Sequence, residues 1–263
     1  MKKTQQVKKM GKTISIVNQK GGVGKTTTAV NLAAALGLQK QRVLMVDIDP
    51  QGNCTSGFGI EKQTLETSSY EVLIDQEPAR NAILTTKFKN VDVLPASMDL
   101  AGAELELVDI HGRHARLKQA LAAVKDDYDF ILLDCPPSLG LITLNALTAS
   151  DTFLVPIQCE YYALEGLSQL LNTVKTIKRL YNPDIELEGV VLTMFDNRLN
   201  LTQQVVAEVK KYFPNKVFET AIPRNVRLSE APSFGMPVLY YDRGSKGSMA
   251  YIALAREVIK KNR

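Results

Sequence analysis

The 263-residue sequence has no tryptophan, only two histidines and only three cysteines. Cys54, Cys135 and Cys159 are odd in number, widely spaced and without a CxxC pair, which excludes a disulfide framework or a cysteine zinc centre and fits a reducing compartment. His111 and His114 share a helical spacing, but Gly112 and Arg113 between them disfavour a preorganised metal site, so the segment reads as polar surface. No apolar run approaches the roughly 20 residues of a spanning helix. A secretory h-region is missing too: Lys2, Lys3, Lys8 and Lys9 lead only into a short apolar run broken by Ser15. Residues 1–12 are therefore expected to be a flexible basic leader, and residues 13–263 one soluble domain of the cytoplasm.

What is present is ordinary globular material, with 45% hydrophobic and 23% charged residues, enough to bury a full core. The net charge of +4 is uneven. Residues 195–263 hold twelve Lys and Arg against six Asp and Glu, so a basic partner surface belongs in this last quarter.

Apolar runs at 14–17, 43–46, 91–94, 130–133, 152–155 and 189–192 read as buried strands, and helical stretches such as 26–38, 116–124 and 163–180 lie between them. In the last of these, Leu164, Leu167, Leu171 and Val174 share one face and are expected in the core. Alternating strands and helices imply an α/β, doubly wound, mostly parallel sheet with helices on both faces and ligands at the carboxyl ends of the strands.

The chemistry-bearing segments fall at those ends. Residues 18–28 join the first strand to the first helix and contain Gly21, Gly22 and Gly24 followed by Lys25, Thr26 and Thr27. Glycines at this spacing let successive N–H groups converge on phosphate oxygens, aided by the helix dipole. Lys25 is expected to reach the β and γ phosphates of ATP, and the Thr26 hydroxyl to meet Mg²⁺. A dinucleotide fingerprint fails because Thr27 stands where its third glycine belongs. An ordinary Walker A loop fails at its first position, which is Gln19, and a second lysine, Lys20, opens the loop instead. Asp47 and Asp49 follow the second strand, and Asp134 ends the apolar run 130–133 as a Walker B acid does.

The run from Lys20 through Gly21, Gly22, Val23, Gly24, Lys25 and Thr26 resembles the deviant Walker A P-loop ATPases of the MinD/ParA superfamily. That resemblance implies a nucleotide sandwich homodimer in which Lys20 reaches the partner's phosphates, Asp49 positions the attacking water, Asp47 supports the metal shell and Asp134 holds magnesium through water. Residues 46–57, 101–106, 193–198 and 222–235 further resemble the chromosomal ParA branch, often called Soj, and the likeness runs from about Lys12 to the C-terminus. It implies nonspecific binding of double-stranded DNA through Arg198 and Arg227, adenine contacts from Pro223 and Asn225, and hydrolysis stimulated by a ParB-like centromere-binding partner. The alternative is a MinD-like membrane-cycling regulator of division, for which residues 249–263 would supply the anchor. These residues are expected instead to form a docked final helix, with no membrane role.

Overall fold

The computed structural model describes residues 11–160 and 163–263, side chains 163–166 excepted, so the lysines at 2, 3, 8 and 9 and the Leu164 side chain lie outside the described residues. Seven strands form one sheet: β1 (Lys12–Ile16), β2 (Val43–Asp47), β3 (Leu84–Thr85), β4 (Val91–Leu94), β5 (Phe130–Asp134), β6 (Thr152–Gln158) and β7 (Glu186–Thr193). Their order is β3-β4-β2-β5-β1-β6-β7, parallel except for the antiparallel edge strand β3. The fold is thus the α/β, mostly parallel, doubly wound P-loop architecture.

The sheet has this form because its central strands are apolar on both faces. β2 and β5 are buried at every position, and two hydrophobic cores lie against opposite faces. One core is closed by the helices Leu141–Ala149 and Ala163–Leu180, the other by the first helix, Lys25–Leu38, and the last, Lys246–Lys261. β1 sits between β5 and β6, with Ile16 level with Asp134 and Asp47 level with Asp134 across β5. This register brings the ends of β1, β2 and β5 to one place.

Several boundaries differ from the sequence expectation for physical reasons. Lys12 is already the first residue of β1, because its N–H bonds the Asp129 carbonyl. β6 runs through Pro156 to Gln158, paired with β7 throughout. The two-residue β3 is too short and exposed to carry a pattern. In the helix Ala163–Leu180 the buried row is Leu167, Leu170, Val174 and Ile177, with Leu171 only half-buried.

The last helix is docked as expected. Tyr251, Leu254, Ala255 and Val258 are buried, and the Tyr251 hydroxyl lies 3.2 Å from that of Thr28 in the first helix. Its apolar face is already covered by protein. Among the described residues, no helix is long and apolar enough to cross a membrane. The three cysteines are free and buried.

Candidate nucleotide site

The loop after β1 is shaped by two glycines and held by two clamps. Gly22 and Gly24 have φ of +74° and +86°, a left-handed conformation that residues with a Cβ rarely adopt, and Gly24 caps the first helix. Asn18 donates to the Pro156 carbonyl of β6 at 2.8 Å and accepts from the Lys20 N–H at 2.9 Å. On the far side, the Thr193 hydroxyl at the end of β7 donates to the Val23 carbonyl at 2.8 Å. Val23 itself is buried, so it anchors the loop while its neighbours face outward.

A cavity of about 320 Å³ opens above this loop, lined by Gly21, Gly22, Gly24, Lys25, Thr26, Thr27 and Asp49, with Pro137 from the loop after β5. The Lys25 ammonium is buried and donates to the Lys20 carbonyl at 3.2 Å. Burial lowers its pKa, and Asp134 and Asp49 partly restore its charge. A cation held out of water beside the helix N-terminus is suited to a polyphosphate.

The three carboxylates have different surroundings. Asp49 is 8% exposed, lines the cavity, and accepts from the Gln51 N–H at 2.9 Å. Asp47 is wholly buried and does not line the cavity. One of its oxygens accepts from the Asp49 N–H at 3.1 Å, the other from the N–H and hydroxyl of Thr55 at 2.8 and 2.7 Å. Asp134 is also wholly buried, yet neither of its oxygens has a hydrogen-bond partner of regular geometry. Burial, then the adjacent Asp47 charge, pushes the Asp134 carboxyl well above the carboxylate range, with Thr26 and Lys25 opposing. Burial likewise raises Asp47, to about 6.

An unpaired buried carboxylate is costly unless a cation meets it. Magnesium fits: Thr26 lines the cavity and Asp134 is buried beside Thr26 without lining it, both are hard oxygen donors, and Mg²⁺ characteristically takes few protein ligands beside phosphates and waters.

A second cavity of about 450 Å³ shares the wall formed by Gly24, Thr27 and Met194 and extends to Pro223, Arg224 and Asn225. It is largely apolar at its far end, where Ile222, Leu228 and Pro232 line it. Pro223 and Asn225 thus stand beside the phosphate loop although some 200 positions separate them in sequence. The Asn225 side chain also caps the helix Val226–Glu230 by accepting from the Arg227 N–H.

Lys20 lies at the rim of the loop, 2.6 Å from Glu160 and about one-third exposed. Arg198 and Arg227 are not free cations. Arg198 makes two bonds to Asp196, at 2.9 and 2.6 Å, and Arg227 pairs with Glu230 at 2.8 Å and Asp242 at 3.3 Å. Both arginines lie outside the two cavities.

The family model described as an AAA domain matches residues 11–187. Over 249 residues the chain is 60% identical to the sporulation initiation inhibitor protein Soj of Bacillus subtilis, covering 95% of this chain and 98% of that one. It is 50% identical to the chromosome-partitioning ATPase Soj of Treponema pallidum, covering 96% and 99%. The chain belongs to the Soj/ParA family of chromosome-partitioning ATPases.

Among solved structures, cobyrinic acid a,c-diamide synthase of Mycobacterium smegmatis, bound to an ATP analogue and magnesium, superposes with a TM-score of 0.87 at 38% identity, covering 96% of each chain. One fold carries both names, so the fold alone does not distinguish the activities.

For a Soj/ParA ATPase, the motif residues were legible locally, but several structural contributors were not. Asn18 and Thr193 clamp the loop, and Met194, at a φ of +49°, forms the partition between the cavities. Only a positive φ on a non-glycine residue would mark Met194, and sequence does not display it.

Proposed function

We propose that this chain is a single-domain, cytoplasmic DNA-partitioning switch driven by Mg-ATP. The phosphates rest on the N–H groups of residues 21–27 and on Lys25, while the base enters the cavity beside Pro223 and Asn225. Thr26 and Asp134 would hold magnesium, which would supply neutralisation of the phosphate charge. Asp49 reaches the same cavity and orients the attacking water. Asp47, tied by three internal hydrogen bonds, acts indirectly by fixing the backbone of Asp49. This reading differs from a direct place in the metal shell.

Lys20 leaves Glu160 to meet the phosphates of a second copy, closing an ATP-dependent homodimer. Arg198 and Arg227 of both copies then bind double-stranded DNA without reading sequence, and a ParB-like partner stimulates hydrolysis and release. Their acidic neighbours do not oppose this, because exposed ion pairs are weak and exchange readily with phosphate.

The observation that carries the ATPase reading is the buried Asp134 beside Thr26 and Lys25, whose oxygens have no hydrogen-bond partner of regular geometry. Against a membrane-cycling role stands the last helix, whose apolar face is covered by the first. The test is paired binding of the Mg-ATP form to a duplex of arbitrary sequence and to anionic liposomes. Salt-sensitive binding to DNA alone is expected, and binding to liposomes alone would overturn the reading.

A further inference from the structure

The cavity beside Pro223 and Asn225 is bounded at its far end by Leu228, which is carried on the short helix Val226–Glu230. The Leu228 N–H bonds the Asn225 carbonyl at 3.1 Å, so the two residues belong to one fixed turn. Behind Leu228 stands Gly247, buried in the first turn of the last helix. A Cβ at Gly247 would lie 2.8 Å from Leu228 Cγ, and 3.0 and 3.2 Å from its two methyl carbons. Glycine weakens a helix, and Gly247 has no positive φ that would require it. What it supplies is room: the missing methyl is the space into which the Leu228 side chain withdraws from the cavity.

The same helix supplies a second wall. One turn beyond Gly247, Tyr251 lines the cavity with Thr27, is buried, and has its hydroxyl 3.2 Å from that of Thr28. The last helix thus stands behind both Leu228 and the floor of the cavity. Ile222, Leu228 and Pro232 bring no hydrogen-bonding side chain to the far end, so a ligand is limited there by shape and not by polar contacts. In a purine nucleotide the sugar is attached to the five-membered ring. The six-membered ring and its exocyclic group therefore lead into this apolar end.

We propose that Leu228 is the residue that limits the size of the base, and that Gly247 of the last helix is a positioning residue that sets this limit by holding Leu228 back. The chain thereby admits an unsubstituted adenine and excludes one that carries a bulky apolar group on its exocyclic amine. The inference rests on the reading that the base occupies this cavity. It adds that selection of the base is a property of the last helix, which lies outside every phosphate motif.

Calorimetry on the full chain compares three magnesium-bound probes: ATP, inorganic tripolyphosphate, which has no base, and ATP benzylated on its exocyclic amine. Gly247→Ala is expected to push Leu228 inward and weaken ATP binding roughly tenfold, as overpacking does, with tripolyphosphate binding unchanged. Adding Leu228→Ala to that variant is expected to restore ATP binding, a rescue that loss of folding would not give. Leu228→Ala alone is expected to tighten binding of the benzylated nucleotide by roughly tenfold or more. Equal weakening of ATP and tripolyphosphate by Gly247→Ala overturns the proposal. So does absence of the rescue, or wild-type binding of the benzylated nucleotide as tight as that of ATP. Wild-type binding of tripolyphosphate as tight as that of ATP is a separate failure: it would overturn the reading that the base occupies this cavity.

Discussion

The phosphate cavity and the basic surface are built in contrasting ways. At the cavity, charged groups are buried and only partly neutralise one another: Lys25 is desolvated, and neither oxygen of Asp134 has a hydrogen-bond partner of regular geometry. At the surface, Arg198 and Arg227 are exposed and already paired with acids. The first arrangement is poised for a ligand, since phosphate and magnesium would relieve its electrostatic cost. The second is balanced without one and, on the proposed reading, would engage DNA only where several weak contacts add, as in a dimer. Large effects are therefore expected at the cavity, and graded, salt-dependent ones at the surface.

The largest effect belongs to Lys25. Lys25→Ala removes the buried cation from the phosphate site, and turnover measured by phosphate release is expected to fall on the order of 10³-fold, with ATP affinity reduced. Near-native turnover would break the contrast at its strong end. Asp49→Ala comes next, with a loss on the order of 10²-fold. Here nucleotide is retained, and the ATP dimer is expected to persist by light scattering. A variant that releases phosphate at the wild-type rate removes Asp49 from the reaction.

At the surface, Arg198→Glu and Arg227→Glu are each expected to weaken DNA binding by roughly tenfold or more at moderate salt. Turnover by the free protein should change little, because both residues lie outside the cavities. Fluorescence anisotropy with an arbitrary duplex reads this directly, and unaltered affinity in the double variant would place the DNA surface elsewhere. The smallest effect is expected at the clamp. Thr193→Val leaves the Val23 carbonyl without its donor, which costs about 1 kcal/mol of stability in urea unfolding. A wild-type midpoint would show that the loop does not need this hydrogen bond.

The same contrast governs what the sequence displays. The phosphate loop is one contiguous segment between a strand and a helix, so its glycines, Lys25 and Thr26 are readable from local spacing. Asp134 is readable because four apolar residues precede it. Burial is not: Asp47 and Asp49 look equivalent in the sequence, and only the fold turns one into the Thr55 clamp while leaving the other in the cavity. The second cavity joins Gly24 to Asn225 across most of the chain, and its placement followed from family likeness. Pairing of Arg198 and Arg227 with Asp196, Glu230 and Asp242 depends on side-chain directions that composition does not specify. Strand β3 was invisible because two exposed residues carry no period.

The central claim is that ATP converts two weak basic surfaces into one strong one through Lys20. DNA affinity measured over a range of salt, with ATP and with ADP, for the wild type and for Lys20→Ala, tests it most directly. The account predicts tight, steeply salt-dependent binding for the wild type with ATP, and weak binding both for the wild type with ADP and for Lys20→Ala with ATP bound. Equally tight binding by Lys20→Ala, or by the wild type with ADP, would contradict it.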